Sequence, residues 1–216
     1  MLSAEQTGLE ELAQTRLAVY RFLLAALGKP TPGQHAWLAD PDFRNGLGLL
    51  CDEFGLPCPE GELVPAEYAD HESRYLACFE VGLPGPPVPL LASHYNRKEP
   101  APRIIHEHIL FYKRFGALPA PDSPESADHL LDELTFLIRL DDLLLAGQVE
   151  TESVLWGRRD FLARQAARWP ARAVALAEER GLPPVYCTLL ALLAAAVEQD
   201  LALSETAVAA LVKENV

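Results

Sequence analysis

Residues 121–145, PDSPESADHLLDELTFLIRLDDLLL, read as one long amphipathic helix, and most of the chain on either side follows the same pattern. Ser123 suits an N-cap, Pro124 the first helical position, and Glu125 and Asp128 place negative charge near the positive helix end. At about 100° per residue, Leu130, Leu131, Leu134, Leu137, Ile138 and Leu140 share one broad face, with Asp128, Asp132 and Arg139 opposite. His129 and Glu133, one turn apart, fall on the margin between the faces. A polar group there can be held in place and still be reached from outside, so this margin is the first candidate site.

Working outward, residues 103–115 form a further helix, and the proline-containing linker 116–123 is a candidate hinge. On its N-terminal side, Gly82, Pro84, Gly85, Pro86, Pro87 and Pro89 exclude helix from 80–102 and leave a long ordered or extended loop. Helices are expected over 63–79, 41–54 and 32–39, and a first helix opens on a capping box at Ser3–Gln6 and stops at Gly28 and Pro30. Beyond the central helix, Thr151 opens a helix to about Trp169, Pro170 opens another to Arg180, and 185–201 form a third. Ser204 is expected to cap a short last helix. No alternating run reads as a strand. The expectation is all-α, a compact bundle of roughly eight to ten helices in a single domain, 1–216, with the hinge near 116–123.

The 216 residues carry a formal net charge of −13, which argues against binding the phosphate backbone of nucleic acid. Cys51, Cys58, Cys78 and Cys187 show no metal-ligand spacing and read as reduced and mostly buried. The N-terminus lacks an export signal, and no later segment is read as reaching the ~20 apolar residues that span a bilayer. A cytoplasmic protein is therefore expected, with no membrane insertion. Arg158-Arg159 lies inside a helix and is not a twin-arginine signal.

His106-Glu107-His108 has the composition of a metal site, but residues two apart on a helix diverge by about 200°. His129 and Glu133 share a side but are only two ligands. A small metal-dependent hydrolase using His106, His108 and His129 thus remains a competing reading. No phosphate loop, nucleophile elbow or dinucleotide fingerprint is present. Cys78 and Cys187 lie in apolar helical contexts that disfavour a thiolate.

Tyr75-Leu-Ala-Cys-Phe79, the proline-rich loop, Ser93-His-Tyr95, and Glu125-x-x-Asp128-His129 opening a Leu-rich helix resemble, in that order, the TorD/DmsD/NarJ family of redox-enzyme maturation chaperones. Pro89-Leu-Leu-Ala-Ser-His-Tyr95 is most similar to the chaperones of type II DMSO-reductase-like enzymes, such as those serving dimethylsulfide dehydrogenase and chlorate and selenate reductases. Ala127 stands where that family commonly has proline. The resemblance implies an all-helical, non-catalytic cytoplasmic chaperone without a cofactor, which holds the catalytic subunit of a molybdenum oxidoreductase until its cofactor is inserted and then releases it for export. It places the Asp-His motif at Asp128 and His129 and the aromatic motif at Tyr75 and Phe79.

For a client with a twin-arginine leader peptide, Asp128, Asp132 and Glu133 are expected on the outward side of the central helix as carboxylates for its guanidinium groups. Leu90, Leu91, Tyr95, Phe136 and Leu140 would line a groove for its apolar stretch. A competing reading gives Asp128 and His129 only local work at the helix start. A helical adaptor module shares the fold and differs only in partner. A monomer is expected, with a domain-swapped dimer as the alternative.

Overall fold

The computed structural model describes residues 4–96, 98–119 and 126–214. Among them are ten α-helical segments and no strand, as the helical periodicity requires. These are α1 (Ala4–Leu27), α2 (Pro32–Leu38), α3 (Pro41–Glu53), α4 (Tyr68–Phe79), α5 (Ala92–Tyr95), α6 (Ala101–Arg114), α7 (Leu130–Ala146), α8 (Thr151–Phe161), α9 (Pro170–Arg180) and α10 (Pro184–Glu214). Local chemistry sets several boundaries. Thr31 accepts from the Gln34 amide at 3.1 Å and Asp40 from the Asp42 amide at 2.8 Å, each just before a helix-opening proline. Gly147 and Gly181, at φ 60° and 64°, end α7 and α9 in the left-handed conformation.

The chain divides into two compact units. The first comprises Met1–Leu24, Leu91–Arg168 and Val197–Val216; the second comprises Ala25–Leu90 and Trp169–Ala196. The first unit is cored by rings: Phe136 meets Phe161 at 4.6 Å and Tyr112 at 5.0 Å between centroids, with Phe111 and Phe115 around them. The second has its own aromatic centre, where Phe79 lies 5.0 Å from both Tyr75 and Tyr186.

The expected loop over 80–102 is corrected, since α5 (Ala92–Tyr95) and the start of α6 at Ala101 lie inside it, beyond the run of prolines and glycines that ends at Pro89, and four other boundaries also differ from the sequence reading. Helix α4 starts at Tyr68, not at 63, because Pro65 has no amide to donate and disfavours helix at Val64; Leu63 and Val64 are nonetheless buried. Helix α7 starts at Leu130, and residues 126–129 are not helical; Ser123, Pro124, Glu125 and hinge positions 120–123 lie outside the described residues, as does Ser3 of the capping box. Helix α8 gives way at Leu162–Ala166 to a π-helical turn, closed by a bond of 3.0 Å from the Ala167 amide to the Leu162 carbonyl.

Finally, α10 runs without a break for 31 residues, and Ser204 does not cap a new helix. It is buried, and its hydroxyl meets Asp200 Oδ1 at 3.3 Å. Contrary to the sequence expectation, Pro184–Lys213 is long and apolar enough to cross a membrane by length and composition, and half of its most apolar window is buried in the protein. Asp200, in the middle of this helix, has partners that make it a core element.

Candidate functional site

The Asp128-His129 motif builds a junction within the first unit. Leu91 and His129 pair as an antiparallel bridge, and the Asp128 carbonyl accepts from the Ala92 amide at 3.0 Å. The Asp128 carboxylate is fully buried. Its Oδ2 accepts from the Ser93 amide at 2.9 Å and its Oδ1 from the Ser126 hydroxyl at 2.5 Å. Asp128 therefore binds the exposed amide end of α5 from across the chain, work that a carboxylate does well. Tyr112 donates its hydroxyl to the Ala127 carbonyl at 2.8 Å and fixes the same segment from α6.

His129 is the N-cap of α7. Its Nδ1 accepts from the Leu131 amide at 3.2 Å, which requires an unprotonated Nδ1, and its carbonyl accepts from the Asp132 and Glu133 amides. Because the helix begins only at Leu130, Asp128 is not on the helical wheel that placed it outward. Motif residues that read as surface in the sequence are buried structural groups here.

Glu133 meets His108 instead of solvent. The pair is buried, with His108 Nε2 2.8 Å from Glu133 Oε1 and His108 Nδ1 2.9 Å from the Ile104 carbonyl. A carbonyl can only accept, so Nδ1 carries a proton. Burial alone would lower the His108 pKa, but the hydrogen bond and charge of Glu133, the Ile104 carbonyl and the charge of Asp128 outweigh it, and the net shift is upward. The shift favours the doubly protonated ring beside Glu133. Tyr112 stays a neutral phenol, pushed well above its usual value by burial and then by Glu133, Asp132 and Asp128.

The remaining candidates belong to both units. Phe136 is in the aromatic core and Leu140 is fully buried, while Tyr95 is buried and Leu91 half-buried in the first unit. Leu90, Tyr75 and Phe79 belong to the second, where the Tyr75 hydroxyl donates to the Leu27 carbonyl at 3.0 Å. Of the three expected outward carboxylates only Asp132 is partly exposed. The expected acidic edge beside an open groove is corrected on this point: Asp128 and Glu133 are enclosed, the first meeting the Ser93 amide and the Ser126 hydroxyl, the second His108.

The sequence reading missed a second polar centre, also in the first unit. Arg16 donates to Asp141 Oδ1 through Nη2 at 2.6 Å and Nε at 3.0 Å. Arg158 donates to Asp141 Oδ2 at 2.8 Å and to Asp200 Oδ2 at 3.0 Å, and Tyr20 donates to Asp200 Oδ2 at 2.7 Å. All five residues are buried. Two guanidinium and two carboxylate groups balance, so the cluster carries no net charge. Burial favours the neutral form of Asp200, yet Arg158, Arg16 and the bonds from Arg158 and Tyr20 hold its pKa below the ordinary value. Burial raises that of Asp141 against the pull of the same arginines. The available signals were Asp200, the one Asp of α10, and Arg16, one of two arginines in the apolar half of α1.

Among the described residues no group of three or more His, Cys, Asp or Glu side chains is placed to hold a metal ion. His106 is exposed while its neighbour His108 is committed to Glu133. The cysteines are free; Cys51 and Cys78 are buried, Cys187 half-buried, and Cys58, against expectation, exposed. Burial raises the Cys78 thiol to about 11 and also raises Cys187, which leaves little thiolate for nucleophilic chemistry.

Comparison with known proteins supports the class suggested by the motifs, a redox-enzyme maturation chaperone. In particular, the chain is similar to the dimethyl sulfide dehydrogenase assembly chaperone protein of Rhodovulum sulfidophilum, at 28% identity over 196 residues that cover 85% of this chain and 78% of the relative. It is also similar to the selenate reductase assembly chaperone protein of Thauera selenatis, at 33% identity over 101 residues, 45% of this chain and 52% of that one. No family model and no solved structure matches it.

Proposed function

We propose that this chain is a cytoplasmic assembly chaperone for the catalytic subunit of a molybdopterin-containing oxidoreductase, and that it acts by binding, without catalysis or a cofactor of its own. The observation that carries the reading is the similarity to a dimethyl sulfide dehydrogenase assembly chaperone across 85% of the chain. The client is bound before its cofactor is inserted and released afterwards for export, and the chaperone works as a monomer.

The leader peptide of the client is the proposed ligand of the region around the α5–α7 junction. Asp128 and His129 contribute by holding Leu91–Ser93 against the start of α7, and Glu133 by holding His108, not by touching the peptide, since the Asp128 carboxylate, His129 Nδ1 and Glu133 Oε1 already have partners within the fold. In this reading a guanidinium of the peptide meets Asp132, the half-buried residue on the first turn of α7.

Deleting the gene in its native cell tests the reading. The expected result is an oxidoreductase whose catalytic subunit is still synthesised but loses its molybdenum and activity, both restored by the wild-type chain. Full metal content and activity in the deletion strain would refute it.

A further inference from the structure

Within the second unit, the end of α2, the start of α3 and the non-helical residues 62–66 enclose a cavity of about 260 Å³. Its apolar lining comes from Leu38, Leu63, Val64 and Pro65, all buried, and its charged lining from Asp40, Arg44 and Glu62, all exposed. Gly61, at φ 77°, turns the chain into the 62–66 segment, a conformation that suits a residue without a Cβ. Both ends of that segment are tied to the helices. Arg44 of α3 donates from Nη2 to the Gly61 carbonyl. His35 Nε2, on α2, lies 3.3 Å from the Ala66 carbonyl, which can only accept, so that nitrogen carries the proton. His35 is itself held from α4, its Nδ1 lying 3.3 Å from Nδ1 of the buried His71.

We propose that this cavity is a docking site for one basic side chain, Arg or Lys, carried by an extended segment of a partner protein. Its volume lies below the roughly 300–1,000 Å³ of pockets that enclose a whole small-molecule ligand, and suits a single side chain. Asp40 uses Oδ1 to cap α3, accepting from the Asp42 amide at 2.8 Å, and its Oδ2 makes no bond among the described residues. Glu62 makes no hydrogen bond or ion pair among them. Arg44, by contrast, is engaged with Gly61. An anionic ligand would meet two carboxylates and one committed guanidinium, and a wholly apolar one would strip water from both carboxylates without replacing its hydrogen bonds. A long basic side chain satisfies both parts of the lining: its methylenes cover Leu38, Leu63 and Val64 while its head donates to Asp40 and Glu62. The formal net charge of −13 draws such a segment towards the chain. This site belongs to the second unit and the α5–α7 junction to the first, so the proposal goes beyond the function proposed above and stands or falls separately.

The test titrates the folded, isotope-labelled full chain with the capped tripeptide acetyl-Gly-Arg-Gly-amide and follows the backbone amides by NMR. Saturable shifts centred on residues 38–44 and 61–66 are expected, with a similar response to the lysine peptide and none to the citrulline peptide, which keeps the shape of arginine without its charge. Glu62→Gln, at an exposed residue, and Asp40→Asn, which keeps a capping oxygen, should each weaken binding roughly tenfold at an unchanged melting temperature. Added salt should weaken it as well. Absent shifts, shifts that spread over the acidic surface without saturating, equal binding of the citrulline peptide, or full affinity in either variant would each overturn the proposal.

Discussion

His108 lies between the Ile104 carbonyl and the Glu133 carboxyl group, and a ring that carries two protons donates to both. Its native pKa is raised above the unfolded value. The stabilisation is therefore complete below the unfolded value of about 6.5 and is lost as pH rises through the higher native one. Glu133→Gln keeps a hydrogen bond but removes the charge. Thermal melts should show this variant less stable than wild type at mildly acidic pH, with the gap narrowing as pH rises; a gap that widens with pH would contradict the charged pair. At Asp128, Asp128→Ala strips the acceptor from the Ser93 amide and the Ser126 hydroxyl and should cost about 1–3 kcal/mol, with faster hydrogen exchange at Ser93. Wild-type melting temperature and unchanged Ser93 exchange would speak for a free ligand-facing carboxylate. The sequence singles out Asp128, His129 and Glu133, but their direction was not legible in it. Helical periodicity assigns a face only to residues inside the helix, and the partners that enclose Asp128 and Glu133 come from residues 93 and 108.

Helices α1, α7, α8 and α10 meet through charge as well as apolar packing within the first unit. Arg158 joins Asp141 on α7 to Asp200 on α10, and Arg16 on α1 completes the balance. Arg158→Leu leaves two carboxylates enclosed with one guanidinium, and a cost of about 3–5 kcal/mol is expected in denaturant unfolding. Because the Asp200 carboxylate is held down in the native state, its contribution is present above the unfolded carboxylate range and disappears as pH falls through the native value. Next to Arg158, Gly157 faces the Phe115 ring so closely that an added Cβ would lie 2.3 Å from Cζ. Gly157→Ala should cost roughly 1–3 kcal/mol by overpacking, read from the same unfolding curve. A neutral result there would mean that α6 and α8 can separate freely. Periodicity revealed these helices, and proline and glycine many of their ends. It could not reveal that Ser204 bonds a side chain within an unbroken helix, or which distant arginine answers Asp200, since that pairing exists only after α8 and α10 have met.

At the scale of the molecule, the chain passes between its two units at residues 24–25, 90–91, 168–169 and 196–197, so neither unit is a continuous segment. Helices α1 and α10 contribute residues to both. Such a chain is not divisible by truncation, and a test of function must use it whole. The all-α class was readable because half of the residues are hydrophobic and recur with helical spacing, and the chaperone class from the order of the motifs. The long-range division into units left no local signature. The central claim is tested most directly by isolating the affinity-tagged chain from its native cell, identifying what it holds by mass spectrometry, and measuring the molybdenum in the captured protein. The account predicts the catalytic subunit of a molybdopterin-containing oxidoreductase, captured without molybdenum and no longer bound once loaded. Captured material that lacks any such subunit, or a loaded enzyme held as firmly as the empty one, would contradict it.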